Sequence, residues 1–62
     1  MKFKIGDNVA MTEEAIFMQL DGPKHIRTGH VVDVPDSNHI RVIRPPLKKR
    51  ELWHISYWGK SK

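Results

Sequence analysis

Cysteine is absent from this 62-residue chain. That excludes a disulfide framework and any thiolate metal site. A domain so small must then hold together by packing alone, or by packing helped by self-association. No apolar run approaches the roughly 20 residues of a membrane span. The opening Met1-Lys2-Phe3-Lys4-Ile5 is too short and too polar for a secretory leader. These absences lead us to expect a soluble, cytoplasmic protein with no membrane partner. Acids are scarce in the second half: residues 23–62 carry nine Lys and Arg against Asp33, Asp36 and Glu51, a balance of +6, whereas residues 1–22 balance at −2. A basic half is the electrostatic footprint of a polyanion binder. It is also how small domains stay soluble.

The length allows one domain, residues 1–62. A chain of this size buries only about 60% of its unfolded surface, enough for one thin core and no deep substrate cavity.

Two stretches carry most of the fold information, Ile5-Gly6-Asp7-Asn8-Val9-Ala10-Met11 and Thr28-Gly29-His30-Val31-Val32-Asp33-Val34. Each sets a turn-forming Gly ahead of alternating apolar residues, the signature of a half-buried strand. Phe3 and Ile5 read as a lead-in strand with one apolar face, Gly6-Asp7 as a turn, and Val9 and Met11 as the inward face of the next strand. Thr12-Glu13-Glu14-Ala15 reads as a helix start, with Thr12 as cap and two Glu against the positive end of the helix dipole. Ile16 and Leu20 would share a face, and Asp21-Gly22-Pro23 would end the helix after one or two turns. Residues 28–35 form the longest predicted strand, and their broken alternation fits a bulge, or a strand buried partly on both faces where a small barrel bends. After the turn cluster Pro35-Asp36-Ser37-Asn38, a strand resumes with Ile40 and Val42 inward and Arg41 outward. Pro45-Pro46 interrupts the ladder. Residues 47–51 read as an exposed basic loop, 52–56 as a further strand, and 59–62 as a frayed tail. The pattern predicts a mainly all-β fold: a five-stranded SH3-like barrel with a short helical insertion near residues 12–21.

Gly6-Asp7-x-Val9, then Gly22-Pro23, then Thr28-Gly29-x-Val31, resembles the start of KOW-type and Tudor-like SH3 barrels. The likeness covers residues 5–34, and its motifs are short. It implies contact with RNA, DNA or protein. The chain departs from that pattern at residues 12–22, which read as helical where KOW loops are shorter and extended. The run Trp53-His54-Ile55-Ser56-Tyr57-Trp58 resembles the ending of small phage and mobile-element proteins, a likeness that brings no activity with it.

Four groups of residues are candidates for chemistry. Arg41, Arg44, Lys48, Lys49 and Arg50 would gather phosphates by charge without reading sequence; the same residues could equally form a solvated loop and a charge-protected edge strand. Trp53 and Tyr57, on the face of Ile55, read as core. Trp58 has the opposite parity and reads as an exposed stacking platform. His25, His30, His39 and His54 lack metal-ligand spacing and read as isolated surface residues, though their protonation would add to any polyanion affinity at lower pH. His54 and Ser56 share a strand face, but no acid is placed to orient the His and no Gly-x-Ser-x-Gly turn exposes the Ser. Plasmid-type dihydrofolate reductase, an SH3-like barrel enzyme, also opens on Gly-Asp-x-Val; where it carries Val-Gln-Ile-Tyr, this chain has His54-Ile55-Ser56-Tyr57, without the Gln-Ile pair. The expectation is a non-enzymatic module without cofactors that binds DNA or RNA weakly through Arg41, Arg44, Lys48, Lys49, Arg50 and Trp58. The alternative is a protein-interaction or self-association module, using the apolar residues around Ile16–Leu20.

Overall fold

The computed structural model describes residues 2–61. Five strands form one antiparallel sheet in the order β4-β3-β2-β1-β5, where β1 is Asn8–Met11, β2 Thr28–Asp36, β3 His39–Ile43, β4 Glu51–His54 and β5 Trp58–Lys60. One short α-helix, α1 (Glu13–Phe17), sits between β1 and β2, and a 3-10 turn, Ile55–Tyr57, links β4 to β5. The mainly all-β expectation, with five strands and a helical insertion, is met. No helix among the described residues is long and apolar enough to cross a membrane.

The sheet is rolled, and the chain itself forces this. β4 and β5 are its opposite edges, and four inter-strand spacings of about 4.8 Å would hold them some 19 Å apart if it were flat. Yet only four residue steps lead from His54 to Trp58. Fully extended, those steps reach about 14 Å at most, and the 3-10 turn shortens them further. The edges therefore approach at this corner, where the Trp53 and Trp58 rings meet edge to face with centroids 5.5 Å apart. No ladder joins β4 to β5 among the described residues.

Two irregularities let β2 bend. Its pairing with β3 runs Val31↔Val42, Asp33↔Arg41, Asp36↔His39, so β2 carries an extra residue at each step. The first falls in the run whose broken alternation fits a bulge, and the second lies beyond it; such irregularities kink a strand and increase its twist. At the other end of β2, Gly29 lies so close to β3 that a Cβ there would stand 2.5 Å from the Ile43 carbonyl oxygen and 2.8 Å from Val42 Cγ1.

The core is small: Phe3, Val9, Met11, Ala15, Val31, Ile40, Val42 and Trp58. Val9 with Met11, and Ile40 with Val42, point inward as their alternation predicts. Thr12 caps α1 by accepting from the Ala15 N–H (3.3 Å). The helix ends earlier than Asp21-Gly22-Pro23 would place it. Gln19 takes a left-handed conformation, φ 61°, while the Gln19 and Leu20 amides close back on Ile16 and Ala15, a Schellman-type ending.

Three local expectations are corrected. Phe3 is buried, but Ile5 is 68% exposed and residues 2–4 are not a strand. The turn at Gly6 (φ 94°), closed by Asp7 on Lys4, reverses the chain before any alternation can establish itself. Residues 55–57 leave the strand for a 3-10 turn, which ends β4 at His54. The predicted frayed tail is instead β5, paired to β1 through Ala10↔Gly59 and Val9↔Lys60, with Ser61 donating to the Asn8 carbonyl (2.8 Å); Lys62 lies outside the described residues.

Gly29→Ala is expected to cost about 1–3 kcal/mol through overpacking, read by urea denaturation. Gly59→Ala, whose added methyl meets nothing within 4 Å, should change stability little. Equal losses at both positions would rule out the close approach as the cause.

Candidate nucleic-acid interface

Arg44 follows β3 directly and keeps the inward parity of Ile40 and Val42. Its side chain is only 9% exposed. Nε and Nη2 donate to the two carboxylate oxygens of Glu51 at 2.7 and 3.0 Å, a bidentate fork. Nη1 donates to the carbonyls of Ile26 (2.9 Å) and Asp21 (3.4 Å). The guanidinium carbon lies 5.6 Å from the Trp53 ring centroid. Arg44 is thus a brace rather than a phosphate ligand. It fastens the loop of residues 21–27 to the β3–β4 connection, and its own charge is matched by Glu51.

The loop it holds is organised around a second buried charge. Asp21 Oδ2 accepts from Arg27 Nε (2.9 Å) and meets His25 Nδ1 (3.1 Å), with the Asp21 side chain 4% exposed. Hydrogen bonds from Arg27 and His25 hold the Asp21 carboxyl below its ordinary range. The Arg44 fork does the same for Glu51, against an opposing effect of burial and with a small contribution from nearby Lys49. Lys24 projects from this loop into solvent.

Of the predicted basic residues, Lys48, Lys49 and Arg50 are exposed on the irregular segment before β4. None of them, nor Lys24, forms an ion pair among the described residues. Arg41 faces solvent as expected, but its Nη1 is engaged by Asp33 Oδ2 at 2.9 Å across the β2–β3 pair. It lies on the opposite sheet face from Arg44's parity, so the two were never one patch. Trp58 is corrected outright: it is 1% exposed and belongs to the core. The 3-10 turn resets side-chain parity between Trp53 and Trp58, so counting alternation through residues 53–58 gave the wrong face. Trp53, Ile55 and Tyr57 are half-buried against the core.

Lys24 is the residue that sequence reasoning missed. It belongs here because the loop bearing it is tied to Arg44, a contact 18 to 23 residues apart in sequence. Asp21, Gly22, Pro23, Lys24, Ile26, Arg44 and Leu47 line a slot of about 200 Å³ between the two loops. A larger hollow of about 470 Å³ lies between the same loop and the end of α1, beside Ile16, Gln19 and His25.

The histidines are less isolated than predicted. His39 and His54 are paired residues of β3 and β4, their rings 5.4 Å apart, and His39 Nδ1 meets Asp36 Oδ1 at 2.9 Å. That bond is the main reason the Asp36 carboxyl sits below its usual range. No group of three or more His, Asp or Glu among the described residues is placed to hold a metal ion. His54 Nδ1 accepts the Ser56 N–H (3.1 Å) and lies 2.9 Å from Ser56 Oγ, which caps the 3-10 turn. Compared with known proteins, the chain matches no family model, no curated protein and no solved structure.

The brace sets an acid limit on stability. Glu51 is depressed below its ordinary 4.5, so its stabilising contribution is complete above that pH and is lost as pH falls through the folded-state value. Thermal melts should be flat above about pH 5 in this respect and fall below it, with Glu51→Gln starting lower and falling less. Arg44→Met should cost on the order of 3 kcal/mol, since it strands a partly buried carboxylate. Arg44→Lys should recover little of this, because an ammonium cannot form the fork. Urea denaturation reads both.

Proposed function

We propose that this protein is a non-enzymatic binding module of the cytoplasm, an SH3-like barrel of KOW or Tudor type, that binds nucleic acid through the two loops joined by Arg44. One observation carries the reading. Lys48, Lys49 and Arg50 on one loop and Lys24 on the other are exposed and unpaired among the described residues, and the two loops are joined by a brace whose own charge is cancelled, with Lys24 and Leu47 lining one slot. Unpaired cations on a fixed frame bind a phosphate chain through counterion release, with little dependence on sequence. Arg41 and Arg44 contribute no phosphate contact in this reading, and Trp58 no stacking. The His54–Ser56 pair acts as a cap, in keeping with a binding rather than a catalytic role.

A second reading has its own observation. Phe17 is 88% exposed and Met18 49% exposed at the end of α1. Large apolar side chains presented together favour a protein contact, including a second copy of this chain.

Affinity for single-stranded DNA or RNA should fall steeply with salt. Four phosphate contacts give a slope near −3 in log K against log [salt], and replacing Lys48 or Arg50 by Gln should reduce it by about 0.7. Absence of binding at low salt rejects the nucleic-acid reading. A concentration-dependent dimer in sedimentation, abolished by Phe17→Asp and indifferent to nucleic acid, supports the second reading instead.

A further inference from the structure

The slot between the two basic loops has a chemistry unlike its rim. Its walls are Gly22, Pro23, Ile26 and Leu47, together with the charged residues Asp21, Lys24 and Arg44. Two buried charges line it, and both are engaged: the Arg44 guanidinium donates to Glu51 and to the carbonyls of Asp21 and Ile26, and the Asp21 carboxylate accepts from Arg27 and meets His25. A phosphate entering the slot would lose its water beside the Asp21 carboxylate, with Lys24 the one lining cation that is unpaired among the described residues. The exposed cations are Lys24, on one of the loops that line the slot, and Lys48 and Lys49, which follow the lining residue Leu47 directly in the chain. What fits must be uncharged and largely apolar inside, and anionic just outside.

Size narrows this further. A volume of about 200 Å³ exceeds the roughly 150 Å³ that holds a benzene ring and falls short of the roughly 300–1,000 Å³ of sites for larger organic ligands. It accommodates one small ring system. A nucleobase joined to its phosphates meets both requirements, the ring in the slot and the backbone on the lysines.

We infer that the slot takes one unpaired base of a single strand, with Ile26 and Leu47 gripping the ring and Lys24, Lys48 and Lys49 holding the adjacent phosphates. The inference rests on the nucleic-acid reading above and adds what that reading lacks, a reason to prefer single strands. A base within a duplex is stacked and must be flipped out before it can enter.

The experiment compares a single-stranded oligodeoxythymidylate with an abasic strand of equal phosphate number, at low salt, by fluorescence anisotropy. The base-bearing strand should bind about tenfold tighter, and Leu47→Ala should bring the ratio of the two affinities close to one. In the unsubstituted protein, the thymidylate strand should shift the methyl resonances of Ile26 and Leu47, and the abasic strand should not. Equal affinities for the two strands overturn the slot and leave the nucleic-acid reading standing. So does a preference for the base-bearing strand that survives Leu47→Ala without methyl shifts, because the base then binds elsewhere. Failure of both strands to bind overturns both.

Discussion

A guanidinium taken out of water has five N–H groups to satisfy, and the surroundings of Arg44 follow from that demand. Glu51 must supply both carboxylate oxygens, the 21–27 loop must turn two carbonyls inward, and the Trp53 ring packs nearby. Such a cluster adds little net stability over a well-packed apolar one, because desolvation offsets most of the attraction. Its effect is geometric. It joins the end of β3, the start of β4 and a loop more than fifteen residues away, so segments without regular structure acquire a defined relation. The exposed lysines inherit their positions from it.

The rolled sheet creates the setting for that brace. With eight buried apolar residues among those described, the core is one small cluster, and both Trp rings belong to it or pack against it. The 3-10 turn at residues 55–57 brings β4 and β5 together so that Trp53 and Trp58 meet across the corner. The Thr12 amide donates to the Tyr57 carbonyl at 3.0 Å, which fastens the start of α1 to the same corner. Bulges in β2 and the bare backbone of Gly29 let the sheet curve tightly enough to enclose this core.

Much of the fold was legible along the chain. Alternation placed Val9, Met11, Ile40 and Val42 inward, Thr12 announced its helix, and the uneven run from Val31 to Val34 left room for the first of the two irregularities in β2. The candidate site was legible only in part. Lys48, Lys49 and Arg50 are local features of a loop after two prolines, and loops of that composition are exposed. Arg44 was misread although its parity with Val42 pointed inward, because a charged side chain is ordinarily assigned to solvent. Trp58 was misread because three residues of 3-10 helix reset an alternation that looked continuous. Lys24 carried no signal, since its relevance depends on a contact with a residue twenty positions away.

By itself the sequence determined the class of fold, four of the five strands, the helix cap and the basic bias of the second half. Each of these depends on neighbours within a few residues, where backbone geometry and side-chain period act directly. Only the tertiary structure decided which cations are spent and which remain free, and whether an aromatic ring faces water or core. Those outcomes depend on partners distant in sequence: Glu51 and the 21–27 loop for Arg44, Asp33 for Arg41, and the opposite edge of a rolled sheet for Trp58. A charge becomes available to a ligand only when no closer partner has neutralised it, and that pairing is settled by the folded chain.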